Sequence, residues 1–331
     1  MEVVDLRTSP IANWEESITD HYPFAPYWWI RGVTPESHRA LMRRELEEAL
    51  TSDNTYVVGY TSNAGGLLGF AQMHWLEWDT NHFGVEIWRL DHLGTWNGDS
   101  GRRAVVEELA QAIVLAARKR GVRNIQARIP MDNLAAIHAL ESVGFRIIEI
   151  LTTWIFDFAK SPIPAKQHPD LIRDFRPNDT EALIELARTA YAPIPDRFHM
   201  DTHLSARASD ELYAEWMRNS CSGQMADHIA VAETDGVAVG YSTMKYFGDH
   251  DGLCNARIAR LGLGAMAPKS RNGRLVTDVV IHHLEWLEQR QADFCLVGTQ
   301  GNNIPPQRVW IRVGFKPAAV DLSLHFWTDD R

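Results

Sequence analysis

The sequence predicts an α+β protein built as two tandem domains, each a mixed sheet flanked by helices. The segment "NLAAIHALESVGF", residues 133–145, returns 170 positions later as "NIPPQRVWIRVGF", residues 303–315. The same order of predicted strands and helices precedes both copies. A polar segment with three prolines, which break helices and central strands, separates the halves. We therefore expect one domain at 1–160, a linker at 161–170 and a second domain at 171–331.

Each half opens with a predicted β-hairpin and a third strand. In the first half two β-rich runs flank a turn at residues 63–66, and in the second the turn is Asp235-Gly236. A third strand candidate follows at residues 85–93 and again at 256–266. The two halves therefore share their first three strands.

A longer amphipathic helix comes next in both halves. Its apolar positions recur with steps of four, four and three residues, at Val105, Leu109, Ile113 and Ala116 and at Val276, Val280, Leu284 and Leu287. A short strand, the repeated helix and a final strand then close each half. The repeated helix ends at Gly144 or Gly314, because glycine suits the left-handed residue that terminates a helix.

Composition places the chain among globular proteins. Its 331 residues, 45% hydrophobic and 23% charged, allow two domains. A formal net charge of -10 disfavours nucleic-acid binding, which needs a basic face, and would attract a cationic small molecule. No apolar run is long enough to span a membrane and no signal peptide is evident, so we expect a cytoplasmic protein that binds no membrane. Cys221, Cys254 and Cys295 form no CxxC pair, which argues against a disulfide framework and a cysteine zinc site.

The repeated segment carries the pattern Asn-x-x-Ala-x-x-x-(Tyr or Leu)-x-x-x-Gly-Phe. The first copy fits it at Asn133, Ala136, Leu140, Gly144 and Phe145, and the second keeps the spacing at Asn303, Pro306, Trp310, Gly314 and Phe315. Together with the order of elements, this pattern resembles the GNAT superfamily of acyl-CoA-dependent N-acetyltransferases. Residues 78–90 and 197–223 resemble, more narrowly, TDP-fucosamine acetyltransferase and related sugar-amine acetyltransferases.

The resemblance implies an N-acetyltransferase that uses acetyl-CoA as its co-substrate and acetylates a small amine by direct transfer in the C-terminal domain. An amino sugar or a nucleotide-linked amino sugar is the expected acceptor. Two alternatives stay open: an acyl-CoA-binding regulatory or structural module without turnover, and an acetyltransferase for a protein or antibiotic amine. We expect a monomer or a homodimer.

The resemblance also places the pyrophosphate of coenzyme A at the start of a central helix, where backbone NH groups and the helix dipole favour an anion. In the second half "PKSRNGRLV", residues 268–276, keeps the family's proline and arginine but has Arg274 and Val276 where glycines are usual. The predicted contacts are Lys269, Ser270, Arg271, Asn272, Gly273 and Arg274. The alternative is a solvated basic turn. The first half has Asp99 at the equivalent place, which would repel an anion, so we expect a degenerate copy there.

Further cofactor contacts follow from the resemblance. The strand before the loop would bind the acetyl carbonyl and pantetheine arm through backbone NH groups of Ala265, Met266 and Ala267. Asn303 would hydrogen-bond the pantetheine or cap its own helix. Trp310 stands where many relatives carry a tyrosine that protonates the leaving thiolate. Because an indole NH is not a usable acid, Trp310 would contact the cofactor or pack against the sheet, and water or another group would protonate the thiolate.

The family binds its acceptor with the first two helices and the loop between them. In that region Tyr191, Arg197 and Tyr213 are the substrate-binding candidates, and Arg197 would suit a phosphate. His199 with Asp201 is the candidate catalytic pair, because an imidazole can relay the amine proton near neutral pH. The alternative for His199 is a solvated or capping side chain.

His282 and His283 are adjacent on a predicted helix. Neighbouring side chains there point about 100° apart and do not easily bind one ion, so the sequence predicts no metal site.

Overall fold

The computed structural model describes residues 2–8, 11, 13–96, 99–191, 196–249, 256–270 and 274–329, with the backbone alone at 99–102 and 249. Its strands are β1 (Glu2–Asp5), β2 (Thr55–Thr61), β3 (Leu67–Trp75), β4 (Ile87–Thr95), β5 (Asn124–Pro130), β6 (Arg146–Asp157), β7 (Ile172–Asp174), β8 (His228–Thr234), β9 (Val237–Asp249), β10 (Arg257–Met266), β11 (Phe294–Gln300) and β12 (Lys316–Trp327). Its helices are α1 (Trp14–His21), α2 (Pro35–Thr51), α3 (Glu77–Phe83), α4 (Asp99–Arg120), α5 (Leu134–Ser142), α6 (Thr180–Tyr191), α7 (Arg197–Met200), α8 (Ala206–Cys221), α9 (Leu275–Gln289) and α10 (Ile304–Val313).

The chain folds into two compact units that are not the two halves of the sequence. The first unit consists of Met1–Ile150 and Asp321–Arg331, and the second of Leu151–Val320. This division differs from the predicted domains at 1–160 and 171–331, because the larger part of the last strand of each half, residues 151–157 and 321–327, belongs to the unit formed by the other half. The predicted linker at 161–170 lies within the second unit.

Strand pairing shows this exchange directly. In the first unit β12 pairs antiparallel with β5 over residues 321–327. In the second unit β6 pairs antiparallel with β11 over residues 151–157. Alternation of side chains decides which face of a strand is buried, but not which distant strand it pairs with. The sequence therefore predicts both strands but not which sheet each one completes.

The first unit is a six-stranded mixed sheet in the order β1-β2-β3-β4-β5-β12, with β4 and β5 parallel and the other neighbours antiparallel. Helix α4 lies on this sheet, and all four of its predicted apolar positions are buried. The same core takes up Leu322, Leu324 and Phe326 from β12. The exchanged strand thus contributes apolar side chains as well as hydrogen bonds to the first unit.

The second unit has the same plan in the order β6-β11-β10-β9-β8-β7, with only β10 and β11 parallel among the described pairs. Helices α9 and α10 contribute to its core, where Val280, Leu284 and Leu287 are buried as predicted. Strand β6 adds Trp154 and Phe156 to this cluster.

The predicted turn and helix ends are confirmed. Asp235 and Gly236 adopt φ of 54° and 77°, as the tight turn between β8 and β9 requires. Gly144 and Gly314 have φ of 106° and 109°, the left-handed conformation expected after α5 and α10.

Two statements about class follow from the described residues. None of the helices placed there combines the length and apolar character needed to cross a bilayer. Cys221 and Cys295 are free thiols, and burial raises the pKa of Cys221 to about 11, so it is protonated at neutral pH. Cys254 lies outside the described residues.

The strand exchange predicts where a core substitution in β12 will be felt. Leu324 is fully buried in the first unit. We expect Leu324→Ala to lower the free energy of unfolding by about 2–5 kcal/mol and to accelerate hydrogen exchange of the β5 amides. Leu296→Ala in β11 is the matched control and should affect the second unit. If Leu324→Ala accelerated hydrogen exchange in β11 and left β5 unchanged, the pairing of β12 with β5 would be contradicted.

Candidate active site

In each unit the two parallel strands pair only at their beginnings and then separate. Strands β10 and β11 pair over residues 258–260 and 294–296, although they continue to Met266 and Gln300. Strands β4 and β5 likewise pair only from Ile87 to Leu90 on β4. We call the opening between β10 and β11 beyond these pairs the second-unit wedge, and the opening between β4 and β5 the first-unit wedge. Beyond Arg260 the edge of β10 that faces the second-unit wedge does not pair with β11.

A β-bulge lies where each wedge begins. On β10, Leu261 pairs with Met244 but Gly264 pairs with Ser242, so β10 holds one extra residue. The Leu263 amide donates to the Thr243 hydroxyl (2.8 Å) instead of to a strand carbonyl. The first unit has the equivalent irregularity on β4 between Leu90 and His92. Bulges of this kind commonly lie beside active sites, where they redirect the strand.

In each unit a tyrosine at the end of a helix contacts the strand just past the bulge: Tyr22 follows α1, and Tyr191 is the last residue of α6. The Tyr191 hydroxyl accepts the Gly264 N–H (2.8 Å) and donates to the Gly264 carbonyl (3.0 Å). In the first unit Tyr22 hydrogen-bonds the backbone at Leu93, and its ring lies against Gly94. The two tyrosines lie in similar sequence segments, "HYPFAP" at 21–26 and "AYAPIP" at 190–195, but the predicted repeat did not include them.

The Gly264 contact shows which main-chain groups face the wedge. Successive residues of a strand direct their amides to opposite edges. The Ala267 amide donates to the Val239 carbonyl of β9 (2.7 Å), so it points away from the wedge, as does that of Ala265. Gly264 and Met266 lie on the wedge edge. The predicted set of Ala265, Met266 and Ala267 is therefore corrected to Gly264 and Met266.

Three of the acceptor candidates, Tyr191, Tyr213 and His199, form one connected group with Asp196 and Asp210, which we call the tyrosine layer. The rings of Tyr191 and Tyr213 stack face to face at 4.1 Å between centroids. The Tyr213 hydroxyl donates to Asp196 (2.6 Å), which also caps the start of α7. Burial raises the pKa of Tyr191 and of Tyr213, and the Asp196 charge adds to the effect at Tyr213, so both phenols stay protonated.

His199 occupies the outer part of the tyrosine layer and has partners other than the predicted one. Its Nδ1 contacts Asp196 (2.9 Å) and its Nε2 contacts Asp210 (3.1 Å). Asp201 accepts hydrogen bonds from the backbone and ring of His203. The predicted His199–Asp201 pair is therefore corrected to His199 with Asp196 and Asp210. The His199 and Tyr213 rings are parallel at 6.1 Å between centroids, and Tyr213 stacks in turn on Tyr191.

The remaining acceptor candidate is Arg197, the first residue of α7. Its guanidinium lies 4.3 Å from the centre of the Phe198 ring. Four of the five predicted acceptor residues, Tyr191, Arg197, His199 and Tyr213, thus lie on α6, α7 and α8, and the sequence missed Asp196 and Asp210.

The predicted phosphate loop is only partly described. Arg271, Asn272 and Gly273 lie outside the described residues. Lys269 and Arg274 are exposed, and Ser270 is half-buried at the end of a short 3₁₀ turn. Helix α9 begins after Arg274, whose side chain offers no acceptor to the first amides. The start of α9 therefore combines the partial positive charge of a helix N-terminus with the charges of Lys269 and Arg274, which favours an anion.

Two predicted cofactor contacts are occupied otherwise. Trp310 is 5% exposed and packs against Trp154 in the second core at 5.8 Å between ring centroids. The Asn303 side chain donates to the Thr299 hydroxyl (3.0 Å) and does not cap α10, whereas Asn133 does cap α5. The cap predicted for Asn303 is therefore wrong.

The strand just past the bulge is exposed in the second unit and buried in the first. In the second unit Gly262 and Gly264 of β10 are exposed. In the first unit Leu93, which Tyr22 contacts as Tyr191 contacts Gly264, is 2% exposed. Its neighbour His92 is equally buried, pairs with Glu45 (2.7 Å) and lies among aromatic rings, namely those of Tyr22, Phe24 and Phe70. Side chains of the first unit thus cover its strand beside the wedge.

Solved structures share this architecture. Searching protein-family models finds no match to the chain. One of these solved structures is a fungal multi-domain β-N-acetylglucosaminidase with a GCN5-related glucosamine N-acetyltransferase region. It matches 98% of this chain with a TM-score of 0.63 at 13% identity. A GCN5-related N-acetyltransferase from Sphaerobacter thermophilus matches 90% with a TM-score of 0.60 at 14% identity, over 88% of its own length. A tandem GNAT protein from the clavulanic acid biosynthesis pathway matches 100%, over 99% of its own chain, with a TM-score of 0.56 at 16% identity.

These likenesses show that the chain has the fold of the GCN5-related N-acetyltransferases in its tandem form, as the sequence pattern predicted. Among named proteins, the spore coat polysaccharide biosynthesis protein SpsD of Bacillus subtilis (strain 168) is 28% identical over 209 residues. The match covers 61% of this chain and 66% of SpsD. The chain also spans only 38% of the length of the fungal protein.

The contact between Tyr191 and Gly264 is open to a direct test. We expect Tyr191→Phe to cost about 1 kcal/mol of stability and to accelerate hydrogen exchange of the Gly264 amide, because that amide loses its acceptor. Tyr22→Phe in the first unit is the control and should leave Gly264 unchanged. An unaltered Gly264 exchange rate in Tyr191→Phe would show that the hydroxyl does not hold this strand.

Proposed function

We propose that the chain is an acetyl-CoA-dependent N-acetyltransferase whose second unit carries the site. The single observation that supports this most strongly is the exposed strand at Gly262 and Gly264 beside the second-unit wedge, set against buried Leu93 beside the first-unit wedge. The fold shared with GCN5-related N-acetyltransferases supports the reaction class. The same contrast supports the expectation that the first unit is a degenerate copy.

The residues at the wedge fit coenzyme A. An extended pantetheine arm can take the place of a missing strand, and it would lie along the edge of β10 at Gly264 and Met266. Neither glycine of the exposed pair has a side chain that would fill the space. Lys269 and Arg274 stand exposed beside the start of α9, where a pyrophosphate would bind. When bound, acetyl-CoA would supply an activated acetyl thioester beside the strand that Tyr191 holds at Gly264.

The tyrosine layer would receive the amine. Tyr191 is the hydroxyl that the structure places at the wedge edge, so we assign it to hydrogen-bond the acceptor there. Asp196 is buried, and Asp210 has 35% of its side chain exposed, so together with the net charge they would attract a protonated amine. His199 touches neither the wedge nor Tyr191, and we assign it to position Asp196 and Tyr213.

An amino sugar, free or nucleotide-linked, is the acceptor that we propose. The resemblance to sugar-amine enzymes and the role of SpsD in making a spore coat polysaccharide both point to carbohydrate. The expectations of a cytoplasmic chain that acts as a monomer or homodimer, without nucleic-acid or membrane partners, remain part of this proposal.

A second candidate function is favoured by Trp310. Because this residue is buried in the core and replaces the usual tyrosine acid, the fold would retain cofactor binding while losing turnover. Such a chain would be an acyl-CoA-binding module.

Cofactor binding has a clear thermal signature. We expect acetyl-CoA at about 100 times its Kd to stabilise the protein by about 2.7 kcal/mol, measured as a rise in Tm. Arg274→Glu should remove most of this rise, because it reverses the charge beside the start of α9. Arg103→Glu on α4 is the matched control in the first unit and should leave the rise intact. If Arg103→Glu removed the rise in Tm and Arg274→Glu kept it, the cofactor would bind the first unit and the proposal would be wrong.

Blocking the wedge gives a second readout of the same site. A Cβ at Gly264 would meet no atom closer than 3.7 Å, so Gly264→Val should fold but fill the wedge and abolish the thermal response. Gly66→Val, where a Cβ also has 3.7 Å of space, should keep it.

Turnover separates the two candidate functions. Thiol release from acetyl-CoA, measured across free amino sugars, nucleotide-linked amino sugars, antibiotic amines and a lysine peptide, should be fastest with an amino sugar. We expect Tyr191→Phe to raise KM for that acceptor, since a hydroxyl at the wedge is lost. Cofactor binding without release for any amine would favour the module without turnover.

A further inference from the structure

A chain of histidines runs between β7, β8, α9 and β9 of the second unit, away from the groups assigned above. The His283 Nε2 contacts the Ser242 carbonyl (3.0 Å), and its Nδ1 contacts the Nδ1 of His228 (2.9 Å). The Nε2 of His228 then contacts Asp174 Oδ1 (2.9 Å). His282 Nε2 meets the same carboxylate oxygen at 2.7 Å.

The hydrogen bonds along this chain leave one imidazole lone pair directed at a carboxylate. The Ser242 carbonyl and an ionised Asp174 carboxylate both only accept, so each of the three contacts needs one proton from an imidazole. Two neutral imidazoles, His283 and His228, carry one proton each. With His283 donating to Ser242 and His228 donating to His283, the lone pair of His228 Nε2 faces the Asp174 oxygen. A proton or a metal ion can supply a positive charge between these two atoms.

Both imidazoles of this chain are shielded from solvent. His283 is fully buried and His228 is 8% exposed. Burial disfavours the charged form of an imidazole, because it removes the solvent that stabilises that charge. The Trp286 ring stacks on His228 at 4.8 Å and further limits its contact with water.

The geometry instead suits a metal ion. One ligand atom from each of Asp174, His228 and His282 lies within 4.8 Å of the other two. The three residues come from β7, β8 and α9, so the site is built by folding and not by neighbouring positions on one helix. The sequence argument against a metal still holds for His282 and His283 as a pair, because only His282 faces Asp174.

We propose that Asp174, His228 and His282 bind a divalent transition-metal ion of the Zn²⁺ class. Imidazole nitrogen and carboxylate oxygen are ligands that Zn²⁺ accepts, and three protein ligands leave a fourth position for water. The Asp174 side chain is 69% exposed, which gives an entry path from solvent. His283 and the Ser242 carbonyl fix the tautomer of His228, as outer partners of metal-binding histidines do.

One neighbouring contact must change when the ion binds. Lys166 Nζ approaches His282 Nδ1 at 3.0 Å, which places the His282 proton on the nitrogen that faces Asp174. Binding at Nε2 moves that proton to Nδ1. Lys166 then keeps Glu285, its ion-pair partner at 2.6 Å.

The ion would brace the strand that supports the proposed active site. Ser242, at the end of the histidine chain, is the β9 residue paired with Gly264. The metal proposal does not depend on acetyl transfer, since its ligands and its test are separate from the wedge.

The test is Zn²⁺ binding by the full chain after dialysis against a chelator. Isothermal titration should show one Zn²⁺ per chain, together with a rise in Tm. Asp174→Asn, which changes an exposed side chain, and His282→Gln should each weaken binding by more than about tenfold, the loss seen even when an outer partner is removed. His74→Gln removes an imidazole from a His–Asp pair in the first unit and should leave binding unchanged.

Two results would overturn the proposal. One is Zn²⁺ binding of equal affinity in the parent protein and Asp174→Asn, or no saturable binding at all. The other is a nitrogen NMR spectrum that shows His228 as an imidazolium at neutral pH and unchanged by Zn²⁺, because a proton would then supply the missing charge.

Discussion

The parallel pairing of β10 with β11 ends at Arg260 and Leu296, and the candidate site depends on that early end. A strand edge carries hydrogen-bonding groups that must be satisfied. Beyond Arg260 the edge of β10 meets the Tyr191 hydroxyl at Gly264. The bulge between Leu261 and Gly264 sets which residues face this edge, so the backbone, more than any side chain, defines the site.

The repeated unit shows how the same backbone can be used for structure alone. The first unit keeps the early separation, the bulge and the tyrosine. It differs by having buried Leu93 where the second unit has exposed Gly264, and by enclosing the neighbouring His92 in aromatic rings. The strand beside the first-unit wedge is thus covered by the unit's own side chains.

The two faces of β9 connect the two proposals of function. Its Ser242 pairs with Gly264 of the wedge, while the Ser242 carbonyl accepts the His283 end of the histidine chain. The other end of that chain is the contact of His228 with Asp174. An ion at Asp174 would satisfy that chain and hold α9, β7 and β8 to β9.

Much of the architecture could be read from the sequence, because it rests on local patterns. The hairpins, the helix periodicity and the glycines that end α5 and α10 each follow from short-range physics, and all are present. The resemblance to N-acetyltransferases was visible for the same reason. At the site, Tyr191, Arg197, His199 and Tyr213 were identified by position, although their hydrogen-bond partners were not.

What only the tertiary structure decided are the contacts between segments far apart in the chain. Either final strand satisfies either sheet, so the exchange of β6 and β12 depends on how the whole chain closes. The pairing of His199 with Asp196 and Asp210, the burial of Trp310 against Trp154, and the convergence of Asp174, His228 and His282 have the same origin. The sequence by itself determined the elements and the family likeness, since these arise from neighbouring residues. Folding set the partners of each polar side chain, because a hydrogen bond forms only between groups that folding brings into contact.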